Sequence, residues 1–381
     1  MSVFPEDIGE KLSERISLAR SILNSHFVSR EFEIDTALVA LISKQTMIMI
    51  GPPGTAKTAL IESVARLIGG RYFYYLLTRF TEPDELLGPL DIALLKEGIY
   101  KRRTEGRLLE AHIAFLDEIF RASSAIRNVL LDIILNRRFE GKDIPLITLY
   151  SASNEVSRDT EDQAIYDRFV CRNFVDNIDS PSWKQLLEVE IDFEVEGGYK
   201  KIEPIMTLED VMTLNKIVLD RLRSLKNSSL INTYLEVLAD LRNKNLEPSD
   251  RRKGKILLIA ASYSVIRLSK SVSKDDLAEA LRVCVPYDRE DLETVEEVIY
   301  KHKLSTHHDI IQKIETLTTE IKNMSDIKTL EDMRRAVTLR REALLLLSSI
   351  PKDLRLLRHV RGLVEAVEEL DRRISAGSSH A

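Results

Sequence analysis

The stretch from Met47 to Ile61 reads MIMIGPPGTAKTALI: an apolar run, a turn made of Gly51, Pro52, Pro53, Gly54, Thr55 and Ala56, then a helical pattern opening with Lys57, Thr58 and Ala59. Those residue types in that order suit a polyphosphate. Backbone N–H groups of the turn converge on phosphate oxygens, and the helix N-terminus adds partial positive charge. Lys57 bridges the terminal phosphates and the Thr58 hydroxyl ligates Mg²⁺. The usual pattern is G-x-x-x-x-G-K-[ST], and here Ala56 replaces the second glycine. Glycine is favoured where the backbone turns with positive φ or closely approaches a ligand, and a methyl group is the smallest addition.

A second element fits the same chemistry. IAFLDE, Ile113 to Glu118, is an apolar strand pattern that stops abruptly in two acids. Carboxylates at the rim of a core carry a desolvation cost unless they meet a cation. Asp117 can hold Mg²⁺ through water, and Glu118 can polarise an attacking water. Asn154, closing LITLYSASN, can orient that water. Arg168 in AIYDRFVCR and Arg251 in EPSDRRKGK are candidates for charges that stabilise a transition state.

Positioning these residues requires a particular scaffold. Apolar positions recur at helical spacing from Ile8 to about Leu41. Short strand patterns then alternate with helical ones: TMIMI, Arg71–Leu77, His112–Glu118 and Pro145–Asn154, with a helix over Ser123–Asn136. Strands alternating with helices imply crossover connections and an α/β fold, its mostly parallel sheet covered on both faces. We assign residues 1–180 to this nucleotide-binding domain. Residues 181–206 read as a linker in which EVEIDFEVEGGYKKI alternates with period two before Gly197-Gly198, a hairpin signal. Residues 207–303 read as an all-α domain of about four helices. Residues 304–376 read as a three-helix bundle with seams at Ile310, Ile314, Leu317, Ile321 and Met324 and at Leu356, Val360, Leu363, Val367 and Leu370. Thr306 with Asp309 and Pro351 are the expected helix-start signals. Residues 377–381 read as a disordered tail.

Composition bounds the partners. The 381 residues carry a net charge of -6, which argues against a dedicated nucleic-acid binder. Cys171 and Cys284 lie far apart without C-x-x-C spacing, so they read as buried small hydrophobes and not as a disulfide framework or zinc site. No run approaches the ~20 apolar residues of a membrane span, and the N-terminus has no long apolar segment, which predicts a cytoplasmic protein without a transmembrane segment.

With these residues in hand, the sequence resembles the MoxR branch of AAA+ ATPases, and within it most resembles the RavA type. The similarity runs in order through FVSREFEI, GPPGTAKT, LTRFTEPDELLGPLDI, LKEGIYKRRTEGRLLEAHIAFLDEIFRA, LYSASNE, AIYDRF, SDRR and LRVCVPYD. MoxR-type proteins commonly carry alanine at the Ala56 position. The resemblance implies that Lys57 and Thr58 form the Walker A site, Asp117 and Glu118 the Walker B site, and Asn154 sensor 1. Arg168 would be the arginine finger reaching a neighbouring subunit's nucleotide, and Arg251 the sensor 2 residue of the helical lid, with Arg252 as the alternative. GPLDIALLKEGIYKRRTEGRLL would be the helix-2 insert, a small β-rich element facing a pore, and NRRFEGKDIP the pre-sensor 1 hairpin. RavA-type proteins carry a β-rich insertion in their triple-helical C-terminal region. Here the turns NMSD and SSIP are too short to hold one.

The expected protein is therefore a Mg²⁺-dependent ATPase that assembles as a homo-oligomeric ring, a hexamer. It would remodel or mature a protein client, chaperone-like, with a von Willebrand A domain partner. Two alternatives stand beside it: a nucleotide-gated scaffold whose ATP state controls docking, and a DNA-directed relative, which the acidic balance disfavours.

Overall fold

In the computed structural model of the chain, residues 5–157, 159–178, 180–196, 202–305, 308–324, 329–349 and 357–377 are described. They fall into two units, residues 1–302 and 303–381.

The first unit opens with two helices, α1 (Glu10–His26) and α2 (Glu31–Ser43). Strand β1 (Met47–Ile50) then runs into α3 (Lys57–Ile68), followed by β2 (Tyr72–Leu76), two five-residue helices α4 (Pro83–Leu87) and α5 (Ile92–Lys96), and β3 (Ile113–Asp117). Next come α6 (Ser124–Asn136), the short pair β4 (Arg138–Phe139) and β5 (Lys142–Asp143), β6 (Thr148–Ser153), α7 (Thr160–Tyr166) and β7 (Cys171–Phe174). The five long strands pair in the order β2-β3-β6-β1-β7, and every pairing is parallel. Both β1 and β6 are buried along their whole length. A parallel sheet covered on both faces produces just such continuous apolar runs. On one face Ile48, Ile50, Ala114, Leu116 and Leu149 pack against Ile126, Leu130 and Ile133 of α6. On the other, the Tyr150 hydroxyl donates to the Ala37 carbonyl of α2 at 2.7 Å.

The expected strands at β1, β2, β3 and β6 and the α6 helix are present, and Ser123 caps α6 through its hydroxyl. Strand β7 was not anticipated. Its Arg172 and Asn173 are buried. Arg172 stacks over the Tyr166 ring at 4.0 Å and donates to the Pro286 carbonyl, while the Asn173 amide donates to Thr36.

Two expectations need correction. Residues 183–196 form helix α8 (Trp183–Glu196), not the first strand of a hairpin. The alternation that suggested a strand also contains an i,i+4 line, Leu187, Ile191 and Val195, and its Glu and Leu content favours a helix. The rest of the expected hairpin, residues 197–201, lies outside the described residues. The insert is not β-rich either: among its described residues it contains α5 and a single antiparallel bridge, Leu90 to Arg102. The Asp91 carboxylate accepts from the Ala93 and Leu94 N–H groups and so caps a helical turn inside the element that the resemblance implied to be β-rich. The pre-sensor 1 hairpin does form, as β4 and β5, and turns through Glu140 and Gly141, both at positive φ.

The lid has five helices where about four were expected: α9 (Leu208–Ser224), α10 (Ser229–Asn243), α11 (Asp250–Ile266), α12 (Lys274–Cys284) and α13 (Arg289–Lys301). Helices α9 and α11 pack along α2. Asn215 donates to the Ile42 carbonyl at 2.8 Å, and Tyr263 shares a buried hydrogen bond with Thr36 at 2.7 Å. The second unit contains α14 (His308–Asn323), α15 (Leu330–Ser349) and α16 (Leu357–Gly377). These pack around Ile314, Ile321, Leu363, Val367 and Leu370 of the expected seams, together with Leu339 of α15. Leu356, Thr306, Pro351 and residues 378–381 lie outside the described residues, as does the side chain of Asp309. Cys171 and Cys284 are free and buried. No helix among the described residues is long and apolar enough to cross a membrane.

Candidate active site

The phosphate-type loop sits at the carboxyl end of β1, where the sheet order turns from β6 to β7, the usual place for a ligand in an open parallel sheet. The backbone at its start is clamped on both sides. Gly51 donates to the Ser153 carbonyl at 3.1 Å, and Val175 donates to the Ile50 carbonyl at 2.7 Å. A Cβ at Gly51 would fall 2.0 Å from the Val175 carbonyl oxygen, so only glycine fits. Gly54 turns at φ 81° and Ala56 at φ 61°, ψ 20°, the left-handed conformation that the sequence pattern demands of a glycine. Ala56 is the N-cap of α3 and Lys57 its first residue.

The loop curls around the Lys57 ammonium. Nζ donates to the carbonyls of Gly51 at 2.8 Å and Pro52 at 2.7 Å and to Thr55 Oγ1 at 3.2 Å, while Thr55 donates to the Pro52 carbonyl. Burial lowers the Lys57 pKa, and the charges of Asp117 and Glu118 oppose that shift. Pro53 and Ala59 complete the loop and the first turn of α3.

Strand β3 delivers Asp117 beside Thr58, with the Thr58 hydroxyl 3.5 Å from Asp117 Oδ2. Among the described residues no cluster of three or more His, Cys, Asp or Glu could hold a metal by itself. One hydroxyl and one carboxylate fit Mg²⁺ whose remaining ligands are phosphate oxygens and water. Glu118 turns out of the strand at φ 56°. One of its carboxylate oxygens accepts from Asn154 Nδ2 at 2.8 Å and the other pairs with Arg121 at 3.3 Å. Arg121 was not singled out from the sequence, and its i+3 spacing from Glu118 was the available signal.

Thus Gly51–Ala59, Asp117, Glu118 and Asn154 meet at the carboxyl ends of β1, β3 and β6. Arg168 and Arg251 do not join them. Both line a pocket of about 150 Å³ beside Lys44, Gln45 and Thr46, which precede β1, at the opposite end of that strand. Arg252 lies in the same pocket wall but is buried, donating to the carbonyls of Asp167, Phe169, Val170 and Cys284 and to the Asp167 carboxylate. That engagement leaves the exposed Arg251 as the freer of the two arginines.

Comparison with known proteins follows the same lines. An uncharacterised protein of Methanocaldococcus jannaschii is 32% identical over 333 residues, covering 85% of this chain and 84% of that protein. The chaperone MoxR1 of Mycobacterium tuberculosis is 25% identical over 202 residues, half of each chain. The solved structure of a proposed ATPase from Cytophaga hutchinsonii superposes with a TM-score of 0.61 at 15% identity, over 76% of this chain and 94% of that one, and shares the fold. A model of the MoxR domain in MoxR–vWA–β-propeller ternary systems matches residues 14–216. With that match across the sheet and its phosphate loop, the chain belongs to the MoxR family of AAA+ ATPases.

Proposed function

We propose that the protein hydrolyses ATP at the subunit interfaces of a homo-oligomeric ring, a hexamer. Turnover is coupled to chaperone-like remodelling of a protein client in the cytoplasm, with a von Willebrand A domain partner. One observation carries the interface reading. Lys57, Thr58, Asp117, Glu118 and Asn154 gather at one end of the sheet, while Arg168 and Arg251 line a pocket at the other. The site therefore contains a general base and phosphate-binding groups but lacks its own finger. The matched MoxR domain belongs to systems with a vWA component, and the relative MoxR1 is named a chaperone, which support the partner and the role. The RavA-like placement rests on motif order alone.

In this reading the phosphate loop and Lys57 bind the phosphates, Lys57 exchanging its loop carbonyls for phosphate oxygens. Bound Mg²⁺, held through Thr58 and Asp117, supplies charge neutralisation. Glu118 takes a proton from the attacking water, with its orientation set by Asn154, and Arg168 from the next subunit stabilises the developing charge. Arg168→Ala should retain ATP binding and lose turnover on the order of 10³-fold or more, as for other fingers. Lys57→Ala should lose both. Normal turnover in Arg168→Ala would refute the interface reading.

A second reading is a nucleotide-gated scaffold with turnover as a timer, in which the Arg121 ion pair on the second Glu118 oxygen would restrain the base until a partner docks. Stimulation of the ATPase by a client favours remodelling, and indifference to every client favours the scaffold.

A further inference from the structure

Between α12 and α13 the chain reads CVPYDRED, Cys284 to Asp291. Pro286 cannot extend α12, and the Asp288 carboxylate caps α13 by accepting from the Glu290 and Asp291 N–H groups. Tyr287 is left between these two helices of the lid. Its N–H donates to the Asp291 carboxylate at 2.7 Å, which ties its backbone to the first turn of α13.

The Tyr287 side chain lies on the sheet domain. Its hydroxyl donates to the Ser157 carbonyl at 3.1 Å, across 130 positions of sequence. Its ring meets the buried Tyr166 edge to face, with centroids 5.0 Å apart, and the Tyr166 hydroxyl donates back to the Tyr287 carbonyl at 2.6 Å. Arg172 of β7 lies over both rings and donates to the carbonyls of Pro286 and Tyr166. Core packing accounts for the rings and the cation. It does not account for the Tyr287 hydroxyl, which reaches one backbone carbonyl of another element.

Both contacts of Tyr287 lead to the candidate active site. Ser157 closes the short segment that starts at Asn154, and the Asn154 amide donates to Glu118 at 2.8 Å. Tyr166 touches Phe120 edge-on at 5.8 Å, and Phe120 lies in the turn Ile119–Arg121 that follows Glu118. The Asn154 segment is therefore in direct contact with Tyr287, and the Glu118 turn is one ring removed. A second anchor, the Ser157 hydroxyl donating to Asp162 at 2.5 Å, keeps the segment attached when the Tyr287 hydroxyl is taken away.

We propose that Tyr287 is a positioning residue through which the lid sets the Glu118–Asn154 pair. It fixes the Asn154 segment directly and the turn after Glu118 through Tyr166. The inference rests on the hydrolysis reading above, in which that pair orients the attacking water. A misplacement of about 1 Å at such a pair can cost on the order of 10²-fold in rate. The phosphate loop is not part of these contacts, so the effect belongs to turnover and not to ATP binding.

The test uses the full chain as wild type, Tyr287→Phe, Asn154→Ala and the double variant. Steady-state and single-turnover ATPase are measured for all four, and amide hydrogen exchange for the wild type and Tyr287→Phe. Tyr287→Phe should lower kcat by about 3- to 30-fold with KM for ATP held within about twofold. Exchange at residues 154–157 should quicken by about 3- to 10-fold while β7 and α12 keep their protection. In the Asn154→Ala background, adding Tyr287→Phe should change turnover by less than about twofold, because the residue it positions is gone.

Wild-type kcat in Tyr287→Phe overturns the proposal, as does a loss carried by KM. A loss of equal size with and without Asn154 overturns it too. So does unchanged exchange at 154–157, or faster exchange spread through β7 and α12, which marks a residue that only supports the fold. If the wild type itself does not hydrolyse ATP, the hydrolysis reading fails, and the exchange measurement alone decides whether Tyr287 holds the Asn154 segment.

Discussion

Ala56 and Gly51 stand at the two ends of the same loop and face opposite constraints. Ala56 adopts φ 61°, which costs an L-residue roughly 1–2 kcal/mol, whereas Gly51 is fixed by the carbonyl oxygen that a Cβ would strike. Ala56→Gly should relieve that strain while adding unfolded-chain entropy, so the net change in stability stays within about 1 kcal/mol and ATP affinity is kept. Gly51→Ala should destabilise by about 3 kcal/mol or more and abolish ATP binding, because the end of β7 must move. Thermal unfolding and nucleotide titration of the pair check both. A third residue, Glu33, is buried with one carboxylate oxygen unpartnered. Burial raises its pKa from 4.5 to about 7, against the opposing charge of Arg30 and alongside the raising charges of Glu31 and Asp176. An acid with a raised folded pKa adds no cost below its unfolded pKa, and its cost grows as pH rises through 4.5 to about 7. Glu33→Gln should therefore leave stability near pH 4 unchanged and raise it at pH 8 by on the order of 3 kcal/mol, as read by denaturant unfolding at the two pH values.

The first turn of α11 places two arginines side by side with different work. Arg252 is 6% exposed and ties the lid to the segment between α7 and β7, while Arg251 faces solvent and the pocket. Arg252→Ala should lower stability by about 3 kcal/mol, since it strands an ion-pair partner and several carbonyls. Arg251→Ala should leave Tm unchanged and lower turnover. Calorimetric melting of the two variants beside their ATPase rates tests the division. The adjacency in SDRR could not reveal it, because burial of Arg252 depends on contacts more than eighty positions away in sequence. Elements whose signal is local were legible. Buried strands ending in glycine or paired acids gave β1 and β3 with the residues they carry, and Ser123 marked α6. Strand β7 was hidden because Arg172 and Asn173 read as polar until Tyr166, Pro286 and Thr36 satisfy them. Helix α8 was misread because period two over eight residues contains period four, and only packing context separates them. The β-rich character of the insert came from the resemblance alone, and the cap at Asp91 starts a helical turn there instead.

Across the whole first unit, the sheet carries its phosphate loop at one end of β1 and a cationic pocket at the other, and the proposed interface reading treats the two as complementary halves of one hydrolytic site. Core and lid form a single compact unit through α2, α9 and α11, which brings the pocket residues of α11 to the amino end of β1. Only the phosphate-binding half was readable as a place from sequence. Arg168 and Arg251 were readable as residues, but their shared location emerges from the fold. The most direct test mixes two silent variants. Arg168→Ala keeps a complete phosphate site and lacks the proposed finger, and Lys57→Ala keeps the proposed finger and lacks the phosphate site. Each alone should show almost no ATP hydrolysis, and an equimolar mixture should recover a substantial fraction of the wild-type rate. A mixture as silent as its components, or an Arg168→Ala protein that hydrolyses ATP normally by itself, would contradict hydrolysis at a shared interface.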